Sequence, residues 1–180
     1  MRGKIATVLL GILIGSLAGY GHVQSVHAQP RCSIKVVEIE DHPDEENLIV
    51  YMDEEIPDEV ELAAYKYGHI YQIDPELLEA IAYYESRYQA DVDSKTGTYK
   101  GLMQIGTKWH KDRIEKLGVT DLHDADQNMM VAADYLSDLF EQYEDAVTVL
   151  KRYSGSSTTK YSNKVLNKAE QLKIKHGKVD

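Results

Sequence analysis

Residues 74–88 read "DPELLEAIAYYESRY", and the interpretation of this stretch decides the rest of the chain. Asp74 is of the residue type that caps helices, Pro75 suits the first helical position, and Glu76 complements the positive first turn. Leu77, Leu78, Ile81 and Ala82 then recur at helical spacing, so the spacing predicts a helix with one apolar face. Glu85 follows four residues after Ile81 and lies on the same face. A carboxylate drawn toward a core is costly unless something uses it. Partial burial disfavours the ionised form and raises the carboxyl pKa, which suits a general acid that protonates a leaving oxygen. From periodicity alone, a helix-end glutamate that swings to solvent is the simpler reading.

Outward from this helix, more helices are expected. Pro57 opens an earlier one with Val60, Leu62, Ala63 and Tyr67 as a partial stripe, ending at Gly68 or slightly beyond. Residues 89–100, "QADVDSKTGTYK", lack apolar periodicity and read as a loop. "GLMQIGTKWHKDRIEKLG" reads as a short helix broken near Gly106, then a second from about Lys108 to Gly118. "DADQNMMVAADYLSDLFEQY" is a helix capped by Asp124 or Asp126, with Met129, Ala132, Ala133, Leu136, Leu139 and Phe140 facing inward. Ala146 to Tyr153 form another, and "NKVLNKAEQLKIK" a last one burying Val165, Leu166, Ala169 and Leu172. The expected fold class is all-α, six or seven helices over about 57–176 with no sheet and no internal repeat.

The first 28 residues read differently. Arg2 and Lys4 precede the apolar run "IATVLLGILIGSLAG", and "VHA" at 26–28 completes the pattern of a secretory signal peptide cleaved after Ala28. At about 15 residues the run is short for a membrane-spanning helix of roughly 20. Residues 29–56 are expected to be an extended acidic segment whose β-prone pieces, "IKVVEI" and "LIVYM", suit a hairpin. Formal charge is −10, or −12 without Arg2 and Lys4, and residues 38–61 hold 12 Asp or Glu and no Lys or Arg. The rest is nearly neutral with a basic end, which reads as solvated surface, or as a face toward an anionic wall or membrane. Cys32 is the only cysteine, so no internal disulfide supports the fold.

No nucleic-acid pattern, phosphate loop, cofactor motif or metal cluster is present. "DVDSKTG" and "DADQNM" fail as calcium loops, because Lys95, Thr96 and Met129 stand where ligands or glycine are needed. Trp109 and the many tyrosines have rings suited to stacking on sugars, and most of them are expected in core or half-buried surface.

Four motifs in order carry a resemblance. "ES" at 85–86 with Ser94, Gly97 and "GLMQI" at 101–105, then "DADQNMMVAADYL", "VLKRYSG" and "YSNKVL", resemble the soluble lytic transglycosylases of the lysozyme-like superfamily over roughly residues 60–172. The resemblance implies cleavage of peptidoglycan glycan strands between N-acetylmuramic acid and N-acetylglucosamine, without cofactor, leaving 1,6-anhydro ends. It implies that Glu85 is the catalytic acid and base and that Ser94 bonds near its carboxylate. Gly101 would let backbone and sugar approach closely, Gln104 would line the cleft near the N-acetyl sugar, and Tyr153 would stand opposite the glutamate. Met103 is expected in the core. The implied setting is the cell envelope, with a membrane or a secretion or conjugation machinery as the partner besides glycan.

Three departures stand out: a loop between Ser94 and Gln104 one residue longer than usual, Ser154 in place of asparagine, and Gly106 where many members carry methionine. Two alternatives stay open. One is a hydrolytic lysozyme with Asp91 or Asp93 as second carboxylate, although either also suits an Asx-type turn. The other is a non-catalytic wall-binding assembly module.

Overall fold

The computed structural model describes residues 33–35, 51–53 and 55–178. The expected signal peptide and most of the acidic segment lie outside them. Within that segment, β1 (Ser33–Lys35) pairs antiparallel with β2 (Tyr51–Asp53), Ile34 opposite Met52.

Six helices follow among the described residues. They are α1 (Asp58–Tyr71), α2 (Pro75–Ser86), α3 (Lys111–Leu117), α4 (Ala125–Gln142), α5 (Ala146–Ser154) and α6 (Lys160–Lys175). The α2 helix packs between α1 and α6, while α4 packs against α1 and α5. Leu78, Ile81, Met129, Leu136, Leu150 and Val165 are fully buried where these helices meet. Each such side chain stabilises the fold by about 1.5–3 kcal/mol. The result is the expected all-α architecture, with one local exception.

Two helical assignments change in detail. Leu62 is 69% exposed, because the inward line of α1 is Val60, Ala63, Ala64 and Tyr67. Two residues beyond Val60 is about 200° around a helix, so Leu62 faces away from the core. Asp74 precedes α2, yet its side chain makes no capping bond and pairs instead with Lys173 on α6. By contrast, Asp124 caps α4 through Gln127 N–H (2.8 Å) and Asp145 caps α5 through Thr148 N–H (2.8 Å).

The exception is "GLMQIG", which is not a helix. Residues Tyr99–Lys100 (β3) and Ile105–Gly106 (β4) pair antiparallel, Tyr99 opposite Gly106 and Lys100 opposite Ile105. Residues 101–104 make the turn between them, with Gly101 at φ +71° and Gln104 at φ +48°. Two left-handed residues three apart are incompatible with an α-helix. Leu102, Met103 and Ile105 are nonetheless buried. A short apolar run has this burial in either conformation, so its pattern alone does not separate them.

Candidate active site

The site begins at the C-terminal turn of α2. Immediately after it, Arg87 and Tyr88 both adopt left-handed backbone conformations (φ 56° and 61°), turning the chain sharply away from the helix. Glu85 is left half-buried in the last turn, on the wall of a cleft of about 890 Å³. The opposite walls come from the β3–β4 hairpin, the turn before α3, and the α5–α6 junction.

Tyr161, in the first turn of α6, donates a hydrogen bond to Glu85 Oε1 at 2.6 Å. Burial raises the Glu85 carboxyl pKa above its ordinary value, and the Tyr161 hydroxyl, which stabilises the carboxylate, offsets this only in part. The net direction favours the protonated acid. Tyr161 was not singled out from the sequence as a site residue. The one available signal was the aromatic start of "YSNKVL".

Tyr153, at the end of α5, lines the same cleft. Its hydroxyl donates to the Met103 carbonyl at 2.9 Å, tying α5 to the hairpin turn. Burial raises its pKa far above the usual range, and the neighbouring Glu85 charge adds to this. Gln104 also lines the cleft. Its Nε2 donates to the carbonyls of Gly101 (3.0 Å) and Val92 (3.2 Å), which leaves Oε1 as the acceptor end. Met103 is buried, as expected.

Gly101 and Ser94 have different surroundings from those expected. Neither is among the residues lining the cleft. A Cβ on Gly101 would lie 2.0 Å from the Leu122 carbonyl oxygen and 2.4 Å from Asn128 Nδ2. The protein's own packing requires the missing side chain there. Ser94 Oγ accepts the Tyr99 N–H at 3.0 Å, and Ser94 N–H donates to the Tyr99 carbonyl at 2.9 Å. Ser94 therefore shapes the lengthened loop through bonds to the loop's own residues Thr96, Gly97 and Tyr99.

The residue that organises the turn is Asn128 on α4, fully buried. Its Oδ1 accepts the Met103 N–H (2.8 Å), and its Nδ2 donates to the carbonyls of Lys100 (2.9 Å) and Leu122 (2.7 Å). Asp124 and Asn128 are thus the cap and the anchor of α4: one starts the helix, the other pins the hairpin turn above it. The departure at Ser154 is also accounted for locally, since its Oγ donates back to the Leu150 carbonyl at 2.9 Å.

Neither carboxylate named for hydrolysis reaches this cleft. Asp93 is held outside it by Lys100 (2.7 Å) and His123 (2.6 Å), and Asp91 is exposed and absent from its lining. Asp112, exposed in the first turn of α3, is the other carboxylate among the lining residues. The cleft also contains His110, whose pKa is lowered by burial and by nearby Arg113, and Arg113 itself, which is paired with Asp134 and Asp138. Among the described residues no His/Cys/Asp/Glu group suited to a metal ion is found, and no helix is long and apolar enough to cross a membrane.

A helical domain that presents one half-buried, protonation-prone glutamate on a cleft wall has the architecture of the lysozyme-like fold. A family model described as the transglycosylase SLT domain matches residues 63–175, and the chain belongs to that family. It is 36% identical over 107 residues to membrane-bound lytic murein transglycosylase F of Enterobacter sp. (strain 638), covering 59% of this chain and 19% of that protein. The protein of the same name from Maricaulis maris (strain MCS10) is 40% identical over 73 residues, 41% of this chain and 15% of that one. The chain therefore aligns with less than a fifth of either relative's length. In fold it is similar to an X-ray structure of an inactive mutant of lytic transglycosylase Slt from Pseudomonas aeruginosa, with a TM-score of 0.58 at 19% identity. That match takes in 66% of this chain and 24% of the other.

Proposed function

We propose that this chain is an exported peptidoglycan lytic transglycosylase that acts at the cell envelope, with Glu85 as its single acid and base. The observation that carries the reading is the environment of Glu85: half-buried on a cleft wall, shifted toward its protonated form, and held by Tyr161. Family membership and the names of the aligned relatives support the substrate class.

In the proposed reaction, Glu85 gives its proton to the oxygen joining N-acetylmuramic acid to N-acetylglucosamine, and the bond from the muramic acid C1 to that oxygen breaks. The substrate's own N-acetyl group stabilises the positive charge left at C1. The Glu85 carboxylate then takes the proton of the muramic acid 6-hydroxyl as that oxygen bonds to C1, closing the 1,6-anhydro ring. The acid is regenerated and no water is consumed. Tyr161 fixes the carboxylate and eases its ionised stage. In this reading Gln104 Oε1 accepts an N–H from an N-acetyl group, which the bonds held by its Nε2 support, and Tyr153 fixes the turn that carries Gln104. Ser94 and Gly101 contribute through the shape of the loop.

Glu85→Gln tests this reading. It preserves shape but cannot cycle a proton, so degradation of purified sacculi should fall by about 10²–10⁴-fold while the helical circular dichroism is kept. A variant that degrades sacculi at the normal rate contradicts the assignment. Tight sacculus binding by the wild-type chain with no soluble fragments released favours the non-catalytic alternative.

A further inference from the structure

Tyr99 and Trp109 stack with ring centroids 5.6 Å apart and planes 14° apart, and both line the Glu85 cleft. They are 43% and 62% exposed, so the pair is not core. Gly106 explains how the pair fits. A Cβ at that position would lie 2.6 Å from Trp109 Cε3 and 3.3 Å from Tyr99 Cε1. Any side chain at 106 would displace both rings. The turn beneath is fixed, because Trp109 N–H and His110 N–H both donate to the Gly106 carbonyl at 3.1 Å, and Tyr99 is paired with Gly106 across the β3–β4 ladder. Three residues of this chain thus depend on one another: a glycine that leaves space, and two aromatic rings that occupy it and remain open to the cleft.

We propose that Tyr99 and Trp109 form a saccharide subsite, a flat aromatic platform on which one pyranose ring of the glycan strand lies, and that Gly106 is the residue that admits it. The proposal rests on the glycan-cleaving reading above and adds where along the cleft a sugar is gripped. A pyranose ring has an apolar C–H face and polar edges. A broad aromatic surface covers the former and leaves the latter to water or to neighbouring polar groups. Exposed aromatic area in a wet cleft costs solvation in the free protein, and that cost is recovered when a sugar covers it. Because the rings belong to a hydrogen-bonded hairpin and turn, little side-chain order is lost on binding.

Trp109 is the only tryptophan in the chain, so its fluorescence reports on this subsite alone. The full chain carrying Glu85→Gln, which binds without turnover, is titrated with a tetrasaccharide of alternating N-acetylglucosamine and N-acetylmuramic acid. Calorimetry follows total binding while indole emission is recorded in parallel. The expected result is a saturable emission change with the calorimetric midpoint. On the same background Trp109→Ala should weaken affinity roughly tenfold and Trp109→Phe should restore most of it. Gly106→Ala, which keeps the indole but moves it, should weaken affinity in the same direction. Calorimetric binding with unmoved emission, or unchanged affinity in Trp109→Ala, overturns the subsite while leaving the glycan-cleaving reading intact. No binding heat, together with no sacculus degradation by the wild-type chain, contradicts that reading itself and the subsite with it.

Discussion

Replacing Tyr161 by phenylalanine removes one hydroxyl from the site and isolates what that hydroxyl does to Glu85. The bond is short, 2.6 Å, and its acceptor is the half-buried carboxyl. A hydrogen bond to a charged group is worth about 1.5–3 kcal/mol. Because the hydroxyl favours the ionised form, its loss lets burial act unopposed and raises the Glu85 pKa further. The acid must be protonated to act, so activity in the wild-type protein falls as pH rises through the Glu85 pKa. In Tyr161→Phe that alkaline limb should move to higher pH. The assay is the pH profile of soluble fragment release from purified sacculi, with folding verified by circular dichroism at each pH. The maximal rate should also fall, because the carboxylate stage loses its donor, but by less than in Glu85→Gln. An alkaline limb that stays in place, or moves to lower pH, refutes the role given to Tyr161 and the cause given for the Glu85 shift.

Two further predictions concern stability. Glu79, one turn before Tyr83 on α2, is 3% exposed, and burial pushes its carboxyl up to about 7. Its folded pKa lies above the unfolded value near 4.5, so the folded chain binds more protons there and wild-type stability declines as pH rises from about 4.5 to 7. The stability advantage of Glu79→Gln over wild type in urea unfolding should therefore grow by about 3 kcal/mol between pH 4.5 and 8; a difference independent of pH contradicts this. Gly101→Ala forces a Cβ into the Leu122 carbonyl at a backbone φ of +71°, and Asn128→Ala strands one N–H and two carbonyls. Each should cost about 3 kcal/mol or more in chemical unfolding. A loss below 1 kcal/mol in either removes the claim that Asn128 anchors the turn.

The sequence reading reached furthest where local rules and tertiary burial agree. On α2, Leu77, Leu78, Ile81 and Ala82 are buried together, and the same periodicity carries Glu85 to the cleft wall. It failed at "GLMQIG", where burial of Leu102, Met103 and Ile105 is compatible with helix or hairpin. The deciding partner, Asn128, is 25 residues away from Met103 in the chain. Gly101 illustrates the same limit: the missing Cβ was legible, whereas the atoms that require its absence belong to Leu122 and Asn128. Tyr161 meets Glu85 across 76 residues, and no spacing rule connects them. The Gly106 departure was visible as a missing side chain, but its meaning depends on where Trp109 and Tyr99 fold.

The most direct test of the central claim is the mass of the products. Purified glycan strands digested by the wild-type chain are resolved by mass spectrometry, with total cleavage counted independently. If Glu85 alone serves as acid and then base toward the muramic acid 6-hydroxyl, every cleavage yields a 1,6-anhydro end, and the summed fragment masses equal that of the intact strand. Fragments heavier by one water per cleavage, ending in a free reducing muramic acid, would contradict it and identify a hydrolase.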